Sequence, residues 1–363
     1  MIYDYDQFKE KRIIIIIPSL NGGGAESTAV NLANMFYKNK YSVKIICIYE
    51  YSRNPNLSNN INVTSLKVNK ISNSIFKIRN VLSNLESSII ISFITSTNIV
   101  LSISKIFLKK KHFYILTQHE IPSLNLAKSK YFYLIFLMKI FYPFSDAIIC
   151  VSKGLELEVQ KLLNHRQDKK IHTIYNLIEK KYKFKRKRSK TYKLLSVGRL
   201  VKAKGFESLL EGVYILKNKL NFKLTIVGNG PQEKYLKSLI RRLGIGEICQ
   251  IKNYQSDIDS FYKNSDIYIS TSIYESFGNT IVEAMQYGML IIATNCPYGP
   301  KEILCNGKLG KLIDPNSPLQ IANSILETIK IKKTPNYKIF LNKCSEENVL
   351  NNFEYIFKKI QSK

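Results

Sequence analysis

Residues 12–36, RIIIIIPSLNGGGAESTAVNLANMF, decide the fold. The run from Ile13 to Ile17 is apolar at every position. A strand built from it must therefore be covered on both faces, the condition of a parallel sheet with helices on either side. Three glycines, Gly22 to Gly24, permit a tight turn, and from Thr28 to Phe36 the apolar residues recur at helical spacing. Strand, glycine-bearing turn and helix form the opening unit of an α/β domain. The preceding MIYDYDQFKEKR is too acidic, and the isoleucine run too short, for a secretory leader.

The same pattern continues downstream. SVKIICIY (42–49), SSIIISF (87–93), HFYILTQ (112–118), DAIICVS (146–152) and IHTIYN (171–176) predict further buried strands. KKYKFKRKRSKTYK (180–193) then carries almost no apolar residue and reads as a solvated linker. After it YKLLSVGR (192–199), FKLTIVGNG (222–230), EICQIKNY (247–254), SDIYIST (265–271), GMLIIAT (288–294) and GKLIDP (310–315) repeat the strand signal, separated by amphipathic helices such as Gln232 to Leu243. The expected organisation is an α/β domain over 1–180, a basic linker over 181–191, a second α/β domain over 192–341, and a helical tail over 342–363 that packs back on the first domain.

A length of 363 residues suits two domains with a core each, and a hydrophobic content of 45% excludes a disordered chain. The formal charge of +28 calls for an anionic partner: phosphates, nucleic acid or anionic lipid. No helix-turn-helix, zinc or RNA-binding signature appears and the basic residues are dispersed, so no nucleic acid is expected. The six cysteines form no C-x-x-C pair, which fits a reduced, cytoplasmic compartment. No run reaches the roughly 18 apolar residues that a membrane span requires.

The first turn, Pro18 to Ser27, lacks both the P-loop sequence and a clean G-x-G-x-x-G, so neither a P-loop ATPase nor a nicotinamide enzyme is supported. It is either an anion or sugar contact loop at a helix N-terminus or a plain βα turn. In the second domain Gly198-Arg199 and Lys204-Gly205 place two cations at the carboxyl end of a strand, where open α/β sheets bind ligands. They suit a diphosphate, or are surface charges of a basic chain. Glu275 and Glu283 are eight apart, with the glycine-bearing loop and a helix starting near Asn279 between them. One acid in the loop and one on the helix can hold two hydroxyl-bearing rings of one ligand; alternatively Glu283 is a first-turn acid favoured by the helix dipole. Asp257-Ile258-Asp259 has a metal-binding D-x-D spacing. Ser256 precedes it at the start of a short helix, so the acids read as an N-cap and first-turn charge, and no metal is expected.

GRLVKAKG (198–205), IVGNGP (226–231), ESFGNTIVEAMQYGMLIIAT (275–294) and CPYGPKEIL (296–304) together resemble the retaining nucleotide-sugar glycosyltransferases of family 4, as do PSLNGGGAES (18–27), TQHE (117–120) and AIICVSKG (147–154) of the first domain. The resemblance implies the GT-B fold, two Rossmann-like doubly wound parallel-sheet domains facing across a cleft. It also implies roles. Arg199 and Lys204, in the segment that begins at Gly198, would hold the donor diphosphate. Glu275 would touch the donor sugar and Glu283 the ribose, with Phe277, Gly278, Asn279 and Thr280 contacting sugar and diphosphate. Gly228 and Asn229 would line the base pocket. From the first domain Gly23 and Gly24 would approach the donor, and His119 would stand beside the transferred sugar. A metal-free, front-face displacement with no cofactor follows from the same likeness, with a UDP-linked hexose or N-acetylhexosamine as the base-rate donor over GDP-mannose.

The segment 131–144, YFYLIFLMKIFYPF, is apolar almost all round, so a buried core helix is expected. With Lys109 to Lys111 and Lys128 to Lys130 nearby, docking on an anionic inner leaflet is the alternative. That would suit a lipid-diphosphate-linked glycan acceptor, as in the family members that build bacterial O-antigen, capsule and lipopolysaccharide, and a protein peripheral on the inner face of the plasma membrane. A non-catalytic nucleotide-sugar-binding scaffold remains open beside the enzyme.

Overall fold

The computed structural model describes residues 12–106, 108–109, 111–126, 132–178, 191–254 and 258–362. Most of the basic linker, Lys128 to Lys130 and Asp257 lie outside them.

The first part of the chain runs β1 (Arg12–Ile17), α1 (Gly24–Lys38), β2 (Ser42–Cys47), β3 (Asn62–Ser65), α2 (Ser74–Ser83), β4 (Ile89–Phe93), α3 (Thr95–Ile106), β5 (Phe113–Gln118), α4 (Pro122–Leu126), α5 (Phe132–Phe141), β6 (Ala147–Cys150), α6 (Lys153–Leu162) and β7 (Ile171–Thr173). The second runs β8 (Tyr192–Val197), α7 (Phe206–Leu216), β9 (Phe222–Val227), α8 (Glu233–Arg242), β10 (Cys249–Lys252), α9 (Asp259–Lys263), β11 (Ile267–Ser270), α10 (Asn279–Gln286), β12 (Leu290–Thr294), α11 (Gly299–Ile303), β13 (Lys311–Ile313), α12 (Pro318–Thr328) and α13 (Lys338–Leu341), before the last helix, α14 (Glu346–Gln361). Two compact units result, Met1–Glu179 with Cys344–Lys363, and Lys180–Lys343.

The first unit is a seven-stranded sheet ordered β3-β2-β1-β4-β5-β6-β7, the second a six-stranded sheet ordered β10-β9-β8-β11-β12-β13. Every strand pair is parallel. The isoleucine run sits in the middle of its sheet, paired with β2 on one side and β4 on the other, and Ile13 to Ile17 are all buried. Each such side chain contributes about 1.5–3 kcal/mol relative to exposure, so continuous apolarity is what a central parallel strand demands.

The last helix belongs to the first unit. Phe353 and Phe357 pack on Phe36 of α1 at centroid distances of 5.3 and 5.8 Å. Tyr41 donates to Glu354 at 2.9 Å, and Lys38 pairs with Glu346 at 3.0 Å. Ser345 caps the helix by accepting from the backbone N–H of Asn348.

Two local expectations are corrected. The helix over 132–141 is not a core helix: Ile135 and Met138 are buried, while most of its other apolar side chains meet solvent. It packs on α3 and, to a lesser extent, on α4. The helix after the D-x-D spacing starts at Asp259 with Ile258 in the capping position and no side-chain cap, so Asp259 is a first-turn acid while an acidic N-cap is not formed.

Candidate functional site

In the second unit the strand order reverses between β8 and β11. Loops leaving the two strands diverge there and leave room for a ligand at their carboxyl ends. The loop after β8 carries Gly198 and the exposed Arg199, passes through a short 3-10 turn, Lys202–Lys204, and reaches α7 at Gly205. Gly205 has φ +61°, and a Cβ on it would lie 2.1 Å from the carbonyl oxygen of Thr271, the first residue beyond β11. Only glycine permits this approach. Thr271 Oγ1 completes the contact by donating to the carbonyl oxygen of Lys204 at 2.9 Å.

That junction brings together two of the residues singled out in the sequence. Lys204 Nζ forms an ion pair with Glu275, and Ser272 Oγ donates to the same carboxylate oxygen at 3.2 Å. Both partners are mostly buried. The backbone of Glu275 is fixed on both sides: its N–H donates to Pro297 O at 2.7 Å, and its carbonyl accepts from the N–H groups of Tyr298 and Gly299 at 2.7 and 3.0 Å. A Cβ on Gly198 would touch the Lys204 side chain at 3.5 Å, and one on Gly278 would stand 3.5 Å from Glu275 Cγ. Gly198, Lys204, Glu275 and Gly278 are therefore neighbours.

Gly278, at φ +114°, caps α10, so Asn279 and Thr280 form its first turn, the positive end of the helix dipole. Tyr268 OH donates to Thr280 Oγ1 at 2.7 Å. The Phe277 side chain is buried beside Phe340, so only its backbone is available to a ligand. Glu283, in the middle of the helix, accepts from Tyr262 OH at 2.6 Å. Tyr262 is fully buried and stacks on Tyr287 at 5.4 Å with planes 4° apart. Burial first, and the neighbouring Glu283 charge second, push its phenol well above the usual range, so it stays a donor.

After β9, Gly228 and Asn229 lie against the loop after β8. A Cβ on Gly228 would be 1.9 Å from Gly198 O, Asn229 O accepts from Leu200 N–H at 2.9 Å, and Asn229 Oδ1 accepts from Tyr254 N–H at 3.0 Å. The ends of β8, β9 and β11 thus hold Gly198, Arg199, Lys204, Gly228, Asn229, Glu275 and the start of α10 as one contiguous set.

The first unit has its own reversal, between β1 and β4. Gly23 stands at the capping position of α1, with Gly24 the first helical residue, and both are exposed. His119 directly follows β5, stacks on Phe93 at 5.1 Å and places Nε2 3.1 Å from Thr117 Oγ1. Thr117 Oγ1 gives its single proton to Ser92 O at 2.7 Å, so Nε2 of His119 is the donor to Thr117 and Nδ1 keeps a lone pair. Protein packed round the ring lowers its pKa from 6.5 to about 4, through loss of hydration alone. A neutral imidazole accepting at Nδ1 suits a hydroxyl. A shallow recess, open to solvent, adjoins it, lined among others by Thr28, Thr117, Asn176 and Phe353.

Sequence reading missed Tyr262, Thr271, Ser272 and Thr117. In SDIDSFYKN only the acids drew notice, although a tyrosine on a five-residue helix before a buried strand was a signal that its ring faces inward.

Residues 22–181 match the family model described as Glycosyltransferase Family 4, and residues 178–339 match Glycosyl transferases group 1. The UDP-N-acetylglucosamine–peptide N-acetylglucosaminyltransferase GtfA subunit of Streptococcus parasanguinis is 32% identical over 133 residues, 36% of this chain, which spans 26% of that protein. An alpha-1,4-N-acetyl-D-galactosaminyltransferase of Campylobacter jejuni, named for a glycan on diphospho-undecaprenol, is 26% identical over 328 residues, 86% of this chain and 88% of that one. The crystal structure of Anabaena HepE in complex with UDP and glucose shares the fold, with a TM-score of 0.81 at 17% identity over 96% of this chain and 100% of that one. With the two family models joined across residues 22–339, the chain belongs to the family 4 glycosyltransferases and has their GT-B architecture.

Proposed function

We propose that this glycosyltransferase moves a hexose or N-acetylhexosamine with retention from a UDP-sugar to a glycan carried on a lipid diphosphate, in the synthesis of a bacterial surface polysaccharide. The observation that carries the reading is the Lys204–Glu275 pair beside the N-terminus of α10, with Glu283 on the same helix. A cation, an acid and the positive end of a helix dipole in one place fit an anionic ligand that also bears hydroxyls. The UDP and glucose named for the Anabaena protein, and the diphospho-undecaprenol glycan named for the Campylobacter relative, support the choice of donor and acceptor.

On this reading Arg199, Lys204 and the first turn of α10 stabilise charge as it develops on the leaving diphosphate, which takes the acceptor proton. Glu275 holds the donor sugar, Glu283 the ribose, and the neutral His119 accepts from a sugar hydroxyl. The protein cations do the work that a divalent metal does elsewhere, so neither metal nor cofactor takes part. Loss of Arg199 or Lys204 would lower turnover more than donor binding. The protein would work in the cytoplasm, peripheral to the inner face of the membrane; among the described residues no helix is long and apolar enough to cross one.

The test is binding and hydrolysis of UDP-glucose, UDP-galactose, both UDP-N-acetylhexosamines and GDP-mannose by the wild type and Glu275→Ala, with chelator present. Selective turnover of one UDP-sugar, lost in the variant, is the expected outcome. Turnover only of GDP-mannose, or only after metal is restored, would overturn the donor or the metal-free mechanism. Binding without turnover in the presence of a lipid-linked acceptor would leave a scaffold.

A further inference from the structure

The outer face of α5 departs from ordinary surface chemistry. Phe132, Phe136 and Ile140 fall at i, i+4 and i+8, one stripe of the helix, and are 63%, 60% and 40% exposed; Tyr133 and Phe144 flank them at 56% and 47%. The opposite face, Ile135 and Met138, is buried against the unit. Scattered exposed apolar residues are ordinary, but a contiguous aromatic stripe marks an interaction surface.

The charges around it choose the partner. Lys139 stands on the exposed part of the same helix. Lys105, in the last turn of α3, donates to Phe144 O at 2.9 Å and pairs with Asp146 at 3.0 Å, which fixes the end of the stripe against a cation. Lys109 and Lys111 follow α3 and are exposed. Between Lys67 and Phe144 the sequence holds eleven Lys and Arg against two Glu, and α5 itself carries no acid. A second copy of a chain at +28 would meet this face with like charge. An anionic bilayer meets it with opposite charge and with an interfacial zone in which aromatic rings are favoured.

We infer that the outer face of α5 docks the protein on an anionic lipid bilayer, with Phe132, Tyr133, Phe136, Ile140 and Phe144 entering the headgroup region and Lys139, Lys109 and Lys111 over lipid phosphates. Docking here would serve the lipid-linked acceptor proposed above, and it rests on that reading only for its purpose. Its geometry is that of a helix lying in the interface plane, bound by buried apolar area plus attraction to anionic lipid.

Flotation with phosphatidylcholine vesicles, with and without phosphatidylglycerol, tests the docking without any donor or acceptor. The full chain is expected to float with the phosphatidylglycerol vesicles, less so as salt rises. Phe132→Ser/Phe136→Ser is expected to lower that partition by about tenfold or more, and Lys139→Glu to lower it while reducing the salt sensitivity of what remains. Because the replaced rings are exposed, the melting temperature of the double variant should match wild type, so loss of docking is separable from loss of folding. Equal flotation of wild type and double variant would overturn the inference. So would a wild type that stays in solution, or one that self-associates through this face, as shown by sedimentation that the double variant abolishes. Donor turnover is a separate readout, and its presence or absence does not bear on the vesicle result.

Discussion

Tyr262→Phe removes one oxygen atom and nothing else. The ring keeps its stack on Tyr287 at 5.4 Å, so the fold of the second unit should persist. What is lost is the 2.6 Å hydrogen bond to Glu283 Oε2. A hydrogen bond to a charged group contributes about 1.5–3 kcal/mol. Glu283 is only half-buried and water can replace part of the donor, so the lower end applies: about 1.5 kcal/mol, or roughly tenfold. On the proposed reading Glu283 holds the ribose, which donor and nucleotide product share. The loss should therefore appear as uniform binding, with Kd for UDP and KM for the donor each raised about tenfold and kcat changed by less than about threefold. Calorimetric titration of UDP into wild type and variant, beside steady-state kinetics, measures both. The reasoning is refuted if UDP binds the variant as tightly as wild type while the melting temperature falls, because the phenol then supports only packing. A fall in kcat with KM unchanged would move Glu283 away from the ribose.

Gly228→Ala would put a methyl group 1.9 Å from the backbone oxygen of Gly198. Overpacking of that kind costs about 3 kcal/mol, or roughly 6–12 °C in the melting temperature of a unit of this size; a shift under about 1 °C in a thermal melt would show that the loops yield freely. His119 supplies a pH test. Its folded pKa of about 4 lies below the ordinary 6.5, so the unfolded chain binds the extra proton first. The stability held at neutral pH is then lost as pH falls from 6.5 toward 4. Denaturant titrations should show wild type losing on the order of 1–3 kcal/mol more over that window than His119→Asn, and parallel losses would mean that the ring is hydrated.

The parallel sheets were legible because burial on both faces leaves no alternation: RIIIII, AIIC and LIIAT are apolar at nearly every place. The edge strand β3, NVTS, escaped for the converse reason, since it is paired on one side only and none of its residues is buried. The helix over 132–141 was misread because apolar content says how much a helix could bury, while the number of neighbouring elements decides how much it does. In the candidate site, the positions of Glu275 and Glu283 relative to the start of α10 were legible because Gly278 sets that start within a few residues of both. Tyr262 was not, because its bond to Glu283 spans 21 residues and crosses from one helix to another. Periodicity describes neighbours along an element; it is blind to that kind of contact.

The Lys204–Glu275 pair adds a constraint that neither residue carries alone. A cation and an acid that are both mostly buried are costly to leave unpaired, and in the structure each supplies the other's partner, with Ser272 as an extra donor to the acid. A ligand that draws the ammonium to itself therefore strips Glu275 of its main compensation. An inorganic sulfate, which carries no proton to donate, can do the first and offers nothing for the second. A molecule that carries a diphosphate and, a few bonds away, several hydroxyl groups satisfies both at once, with the anion taking Lys204 and the hydroxyls donating to Glu275. The pair thus favours a ligand with both chemistries over one with either, which is a reason, independent of any likeness to other proteins, to expect an intact sugar diphosphate at the end of β8 and β11.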